Sequence, residues 1–355
     1  MYKLLKFLLG IIVFIIVIFV VGIAYLTLTR YNPDSVEPLE VHNNKGQNNN
    51  APDTLSLISW NLGYAGLGSE MDFFYEGGEQ VRPSYFFFNK YILGIKETLD
   101  SLANKDNPDF IFLQEIDRES HRSYFFNQVK EVNKALPQYS YSFATNYKVR
   151  FVPLPVSDPM GRVWAGMMSL YKYKPNSSIR VKYPQIQPWP KKLAMLSRCF
   201  IENRFPLPSG KDLVLFNTHN TYFNNDSVLR FQELKILRDR MFAEYKKGNY
   251  VVAGGDWNQN PINFQPEEYP MVNNYIKTEM YMPNDYFPKT WHIQYDGKIP
   301  TARFNDKPYK KGESNVTFID FFVCSPNIEI LQTQTYDLDF KYSDHNPVGI
   351  RLRLK

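Results

Sequence analysis

Two apolar patterns organise the chain. The first is a block: Phe7 to Leu28 runs without a single charge, and at 1.5 Å per residue a helix of that length reaches about 33 Å, enough to cross a bilayer core. The second recurs. Short apolar runs of strand length each close on polar residues: Leu55 to Trp60 before Asn61, Phe110 to Leu113 before Gln114-Glu115, and Leu213 to Phe216 before Asn217-Thr218-His219. Tyr250 to Ala253 leads through Gly254-Gly255 to Asp256-Trp257-Asn258. The spacing of two in extended backbone points Asp256 and Asn258 to one side.

Between these runs, Phe88, Tyr91, Ile92, Ile95, Leu99 and Leu102 recur at helical spacing, as do apolar positions from Val228 to Lys247. A helix is also expected over Ser120 to Leu136. Further strands are expected over Tyr139–Tyr147, Ala165–Tyr173, Cys199–Phe205 and Gly349–Leu354. Val316 to Val323 reads as one strand with Asp320 in its middle. Val149 to Gly161 and Pro261 to Gly312 read as loops, and Tyr31 to Asp53, polar and without periodicity, as a flexible tether. Several strands to few helices, without strict alternation, predict a mostly antiparallel, layered α/β or α+β sandwich. The expected organisation is a cytoplasmic N-terminus at 1–6, a transmembrane helix at 7–29, a linker at 30–53 and a catalytic domain at 54–355.

Composition narrows the chemistry. The net charge of +5 includes Lys3, Lys6 and Arg30 beside the apolar block; without them 38 Lys+Arg face 36 Asp+Glu. A near-neutral domain does not predict strong sequence-independent DNA binding. Two cysteines, Cys199 and Cys324, in apolar runs and without a CxxC motif, exclude thiolate zinc sites and are expected as buried free thiols. Lys3 and Lys6 ahead of the block place the N-terminus in the cytoplasm and the rest outside it, periplasmic or on the cell surface in a bacterium. The competing reading is a cleaved signal peptide, against which stand the length of the block and the lack of an Ala-x-Ala site.

The strand ends supply Asn61, Glu115, His219, Asp256 and Asn258; Asp320 lies in a strand, and Asp344-His345 precede the last one. Oxygen ligands without thiolates fit Mg²⁺, with Mn²⁺ or Ca²⁺ as alternatives. Two histidines beside acids supply proton transfer and phosphate hydrogen bonds, a kit for metal-assisted displacement at phosphorus.

In order and spacing, Ser59-Trp60-Asn61, Gln114-Glu115, Thr218-His219, Gly255-Asp256-Trp257-Asn258 and Ser343-Asp344-His345 resemble the endonuclease/exonuclease/phosphatase superfamily over residues 54 to 355. The resemblance implies a DNase I-like four-layered sandwich, with two mixed sheets face to face and helices outside. It implies that Glu115 and Asn61 hold the metal, that Asp344 bears on a second one, and that Asp256 orients or deprotonates the attacking water. Asn258 would fix water or phosphoryl oxygens, and His219 the pentacovalent oxygens. His345, paired with Asp320, would bind the scissile phosphate or act as base. Trp257 stands where the family more often has Phe. Asn220 stands where it often has an apolar or substrate-loop residue; with Arg162 it is a candidate substrate contact, although Arg162 reads equally as an exposed loop arginine.

The expected protein is a membrane-tethered phosphodiesterase with a monomeric catalytic domain, acting on nucleic acid or on a phospholipid or inositol-type phosphoester by in-line attack of a metal- and Asp-activated water. The alternatives are a phosphomonoesterase of a sugar or inositol phosphate, and a non-catalytic surface protein that keeps the fold. The aromatic stretches Phe73-Phe74-Tyr75 and Tyr85 to Phe88 read as core in preference to a lipid-facing rim.

Overall fold

The computed structural model describes residues 2–43, 50–222, 227–262, 264–266, 269 and 281–355. In chain order the elements are α1 (Tyr2–Leu28), β1 (Val36–Pro38), β2 (Val41–His42), β3 (Thr54–Asn61), α2 (Tyr85–Lys105), β4 (Phe110–Asp117), α3 (Gln128–Ala135), β5 (Ser140–Val152) and β6 (Gly161–Tyr171). There follow β7 (Ser177–Lys182), β8 (Cys199–Pro206), β9 (Asp212–His219), α4 (Ser227–Lys246), β10 (Tyr250–Asp256), β11 (His292–Gln294), β12 (Ala302–Arg303), β13 (Val316–Thr317), β14 (Asp320–Cys324), β15 (Ile328–Thr335) and β16 (Val348–Leu354).

Two seven-stranded mixed sheets form, ordered β1-β7-β8-β9-β10-β14-β11 and β15-β16-β3-β4-β6-β5-β2, beside a small β12-β13 ladder. Each large sheet contains one parallel pair, β9 with β10 and β3 with β4; its other pairs are antiparallel. A parallel pair needs a long crossover, and α2 and α4 supply these two.

The apolar runs are continuous because both faces of the central strands are covered. In β4, Phe110 and Phe112 point between the sheets while Ile111 and Leu113 meet α2 and α3; in β9, Leu213 and Leu215 point between the sheets while Val214 and Phe216 meet α4. The layers are therefore helix, sheet, sheet, helix. Polar side chains also bridge the sheets, just below the polar strand ends: Gln114 Nε2 donates to Asn217 Oδ1 at 2.7 Å and to Ser59 Oγ at 3.1 Å. Ser84 caps α2 by accepting from Phe87 N.

Several expectations change. The stretch expected as helix over 120–136 is helical only at Gln128–Ala135, plus a 3-10 turn at His121–Ser123. β5 runs on to Val152, into the expected loop. The Val316–Val323 strand is two strands, and Asp320 opens the second, in register with Asp256. The expected tether is partly ordered: Val36–Pro38 pairs with β7, and Val41–His42 with β5. Backbone pairing onto open sheet edges needs no apolar periodicity, so the pattern could not show it. The expected loop Pro261–Gly312 contains β11 and β12; positions 263, 267–268 and 270–280 within it, and 44–49 of the tether, lie outside the described residues. Both cysteines are buried and free.

α1 is 27 residues long and strongly apolar, and none of its residues is buried. It is long and apolar enough to span a membrane, a description that a signal sequence also meets.

Candidate active site

At one end of the sandwich, β3, β4, β9, β10 and β14 and the segment before β16 bring Asn61, Glu115, His219, Asp256, Asn258, Asp320, Asp344 and His345 together. Six of these eight, all but Asn61 and Asp320, line one cavity of about 1040 Å³. In-register pairing explains the convergence. Asp256 lies beside His219 on one neighbouring strand and Asp320 on the other.

Two site residues adopt left-handed backbone. Glu115 has φ +50 where β4 slips register against β6, and Asn258 has φ +51. Such conformations are uncommon for residues with a Cβ and gather at functional sites. Two glycines make close approaches possible. Gly255 has φ +146, and a Cβ there would lie 2.0 Å from the Thr218 carbonyl oxygen. Gly63 has φ +50, and its Cβ would lie 2.7 Å from Asp344 Oδ1.

Asp256 is buried and fully engaged. Its Oδ1 accepts from Asn258 N at 2.8 Å; its Oδ2 accepts from Asn61 Nδ2 at 3.0 Å and Asn258 Nδ2 at 3.2 Å. His219 Nε2 lies 3.4 Å and His345 Nε2 3.9 Å from the same Oδ2. Burial pushes its pKa up to about 7, against the pull of His345 and with a further push from Asp320. His345 Nδ1 meets Asp320 Oδ2 at 2.8 Å, and its backbone carbonyl accepts from Trp60 Nε1 at 2.9 Å. Burial disfavours the imidazolium of His345, but the carboxylates of Asp320, Asp256 and Asp344 outweigh it and hold the pKa well above the usual value. His219 goes the other way: burial first, then Arg198, His345 and Arg122, push its pKa well down.

The Glu115 carboxylate makes no hydrogen bond to a described residue; His219 Nε2 lies 3.7 Å away. Burial raises its pKa, opposed by Arg122 and supported by Asp344. Asp344 is held by Asn305 Nδ2 at 2.8 Å, and Asn305 N in turn donates to Glu76 Oε2 at 2.7 Å. Burial pushes Glu76 up to about 7.

The two substrate-contact candidates fall elsewhere. Arg162, the second residue of β6, pairs with Glu119 at 2.6 Å, and it does not line the cavity. Asn220 is buried behind the site, where its carbonyl accepts from Asn258 Nδ2 at 2.9 Å and its Oδ1 from Thr218 Oγ1 at 2.5 Å; it positions Asn258.

Several site residues carry no motif. Tyr64, with φ +43, is buried with its hydroxyl unpartnered among the described residues, and the Arg122 guanidinium stacks 3.6 Å from its ring centre. Arg122 is locked in turn by a two-pronged bond to Asp117, Nη2–Oδ1 at 3.0 Å and Nε–Oδ2 at 3.2 Å. Glu76 came from the aromatic insertion. Gly63-Tyr64 after a polar strand end was the available signal for the first of these; Arg122 and Glu76 had none. In the insertion, Met71 is buried and Tyr75 is exposed, with Phe73 and Phe74 half-buried.

Among the described residues no three His, Cys, Asp or Glu side chains gather into a metal-holding group. A hard cation that keeps several waters and takes one or two carboxylates needs no such group, and the open Glu115 carboxylate beside Asp344 fits one.

The comparisons with known proteins agree with this architecture. Solved structures that share the fold include an endonuclease/exonuclease/phosphatase from Beutenbergia cavernae DSM 12333 (17% identity, TM-score 0.53, 85% of this chain and 72% of that one). A second, from Bacteroides vulgatus, has 17% identity and a TM-score of 0.51 over 85% and 99%. A third, D. rerio TDP2 complexed with a single-strand DNA product, has 16% identity and a TM-score of 0.51 over 85% and 100%. At these identities the likeness is one of fold. No curated protein matches the sequence. The model of the Endonuclease/Exonuclease/phosphatase family matches residues 58–345, and the chain, with its phosphoesterase fold, belongs to that family.

Proposed function

We propose that the chain is a membrane-tethered, divalent-metal-dependent phosphodiesterase whose catalytic domain works outside the cytoplasm. The observation that carries the phosphodiesterase reading is the convergence of His219 Nε2 and His345 Nε2 on one oxygen of Asp256, at 3.4 and 3.9 Å; the tether rests on α1. Glu115 with Asn61 would hold Mg²⁺, or Mn²⁺ or Ca²⁺. When bound, the ion would neutralise charge on phosphoryl oxygen and acidify water.

The chain's own residues supply the rest. Asp256, with a pKa of about 7, can take a proton from water near neutral pH. Asn61 and Asn258 fix its orientation. His345, kept cationic by Asp320, donates from Nε2 to a phosphoryl oxygen, which makes it a phosphate-binding group in preference to a base. His219 stays neutral and offers Nε2 on the opposite side. Asp344, tied to Asn305, keeps the acidic wall in place.

The test uses the full chain in detergent, with Mg²⁺ or with a chelator, on bis-p-nitrophenyl phosphate, p-nitrophenyl phosphate, plasmid DNA and phospholipid. Metal-dependent turnover, faster on diesters and lost in Asp256→Ala, supports the reading. No turnover together with no divalent-cation binding overturns it.

A further inference from the structure

The cavity that holds the acids does not end at them. The cavity that Asp256 and His345 line is also lined by Phe151, Leu154 and Ile186 and by residues of α1. Four α1 residues line it: Phe19, Gly22, Ile23 and Leu26. Their spacing of three, one and three puts them on one face of the helix. Apolar side chains of the cavity's outer wall are uncovered, with Phe151 46% exposed, Leu154 47% and Ile186 43%, and Trp189, in the same segment as Ile186 but outside the lining, is 55% exposed. Grouped exposed side chains of this size are unusual on a surface that meets only water.

The same wall is tied to the end of α1. Trp189 Nε1 donates to Thr27 Oγ1 at 3.2 Å, and Arg30 donates to Gln185. With α1 in a bilayer, its last turn lies at the interface and the 185–190 segment lies there with it. Phe19 sits nine residues before Leu28, roughly 14 Å farther along the helix, so the cavity runs beside the helix to the depth of the acyl chains. Arg150 and Lys191, both exposed, adjoin the apolar wall in sequence, the pairing of cationic and apolar groups that anionic lipid surfaces attract.

From this continuity between cavity, apolar wall and helix we infer that the active site opens onto the bilayer and takes the phosphoester of an amphiphile: a lipid whose headgroup reaches Asp256 while its chains stay in the membrane. The inference rests on the phosphodiesterase reading and names its substrate class. Water adds across the ester: its oxygen bonds to phosphorus, the P–O bond to the leaving group breaks, one proton passes to Asp256 and on to solvent, and the departing oxygen takes up another. A nucleic acid would gain nothing from the apolar wall.

The experiment reconstitutes the full chain with Mg²⁺ in vesicles of phosphatidylcholine, phosphatidylethanolamine, phosphatidylglycerol and phosphatidate. Lipid cleavage is measured against turnover of bis-p-nitrophenyl phosphate in solution and of plasmid DNA. At least one vesicle lipid is expected to be cleaved. Combining Phe151→Ser, Leu154→Ser and Trp189→Ser is expected to lower the ratio of lipid to soluble-diester turnover by at least about tenfold, the scale of losing inserted apolar surface. Arg150→Glu with Lys191→Glu, which leaves that surface intact, is expected to lower cleavage of phosphatidylglycerol severalfold relative to phosphatidylcholine. Soluble-diester turnover without cleavage of any lipid overturns the inference and leaves the phosphodiesterase reading standing, as does DNA cleaved in preference to lipid or a ratio unmoved by either variant. Absence of turnover on every substrate overturns both.

Discussion

The β3–α2–β4 and β9–α4–β10 units use the same backbone device and leave their carboxylates in different surroundings. Each is a parallel pair bridged by a helix, each delivers an amide and a carboxylate, and each ends near a left-handed residue: Glu115 in the first, Asn258 in the second. In the first unit the amide is tied down, Asn61 Oδ1 accepting from Gly63 N at 2.9 Å, and the Glu115 carboxylate is left open. In the second the carboxylate is tied down, with three hydrogen bonds on Asp256. An open carboxylate is free to meet a cation; on the closed one, burial raises the pKa to about 7 against the pull of its hydrogen bonds. What the hydrogen bonds leave free separates the roles proposed for the two units.

The largest expected effect comes from breaking the closed half. Asp256→Ala should lower kcat/KM on bis-p-nitrophenyl phosphate by about a hundred- to ten-thousandfold, with a smaller change in the Mg²⁺ concentration needed than Glu115→Gln causes, a change that comes through its bond to Asn61. The open half should show the reverse. Glu115→Gln should raise the Mg²⁺ needed for half-maximal activity by at least about tenfold, the scale on which metal shells respond to single changes, and weaken Mn²⁺ binding measured calorimetrically without substrate. If both variants change the metal requirement equally, the division fails.

The two bridging helices differ as well. The acids of α2 in the Glu97–Asp100 stretch are exposed, whereas Glu233 of α4 is fully buried, accepting from Thr221 N at 2.8 Å and Thr221 Oγ1 at 2.6 Å. Burial pushes its pKa from 4.5 up to about 7. Because the folded value is the higher, this group favours folding below the unfolded value, and that advantage is lost as pH rises through the folded one. Glu233→Gln should flatten the decline between about pH 4.5 and 7, with up to about 3 kcal/mol difference in denaturant unfolding at pH 8. The smallest effect is Asp320→Asn. It should lower kcat about tenfold and move the alkaline limb of the pH profile to lower pH, since His345 loses a carboxylate that keeps it protonated.

The layered fold and most of the site were legible because strand ends carry their polar residues in sequence order, and Asp256 declares itself by the glycines before it. Neighbours brought together by register alone were not legible. Asp320 looks like a mid-strand acid until the break after Thr317 makes it the first residue of β14, beside Asp256. Arg122 lies in a short turn with nothing local to distinguish it from a surface arginine, and only its buried bond to Asp117 and its place over Tyr64 give it meaning. Arg162 shows the opposite failure: an arginine after a proline-rich loop looked available, and Glu119 occupies it.

The two short strands after α1 bear on how the enzyme is prepared. Val36–Pro38 closes the β7 edge of one sheet and Val41–His42 the β5 edge of the other. Trimming the protein to residue 54, where the apolar pattern of the domain begins, would strip both edges at once and leave two unpaired ladders ready to recruit each other between molecules. A soluble version cut just after the helix, near Arg30, keeps both edges covered and is the one that should stay monodisperse.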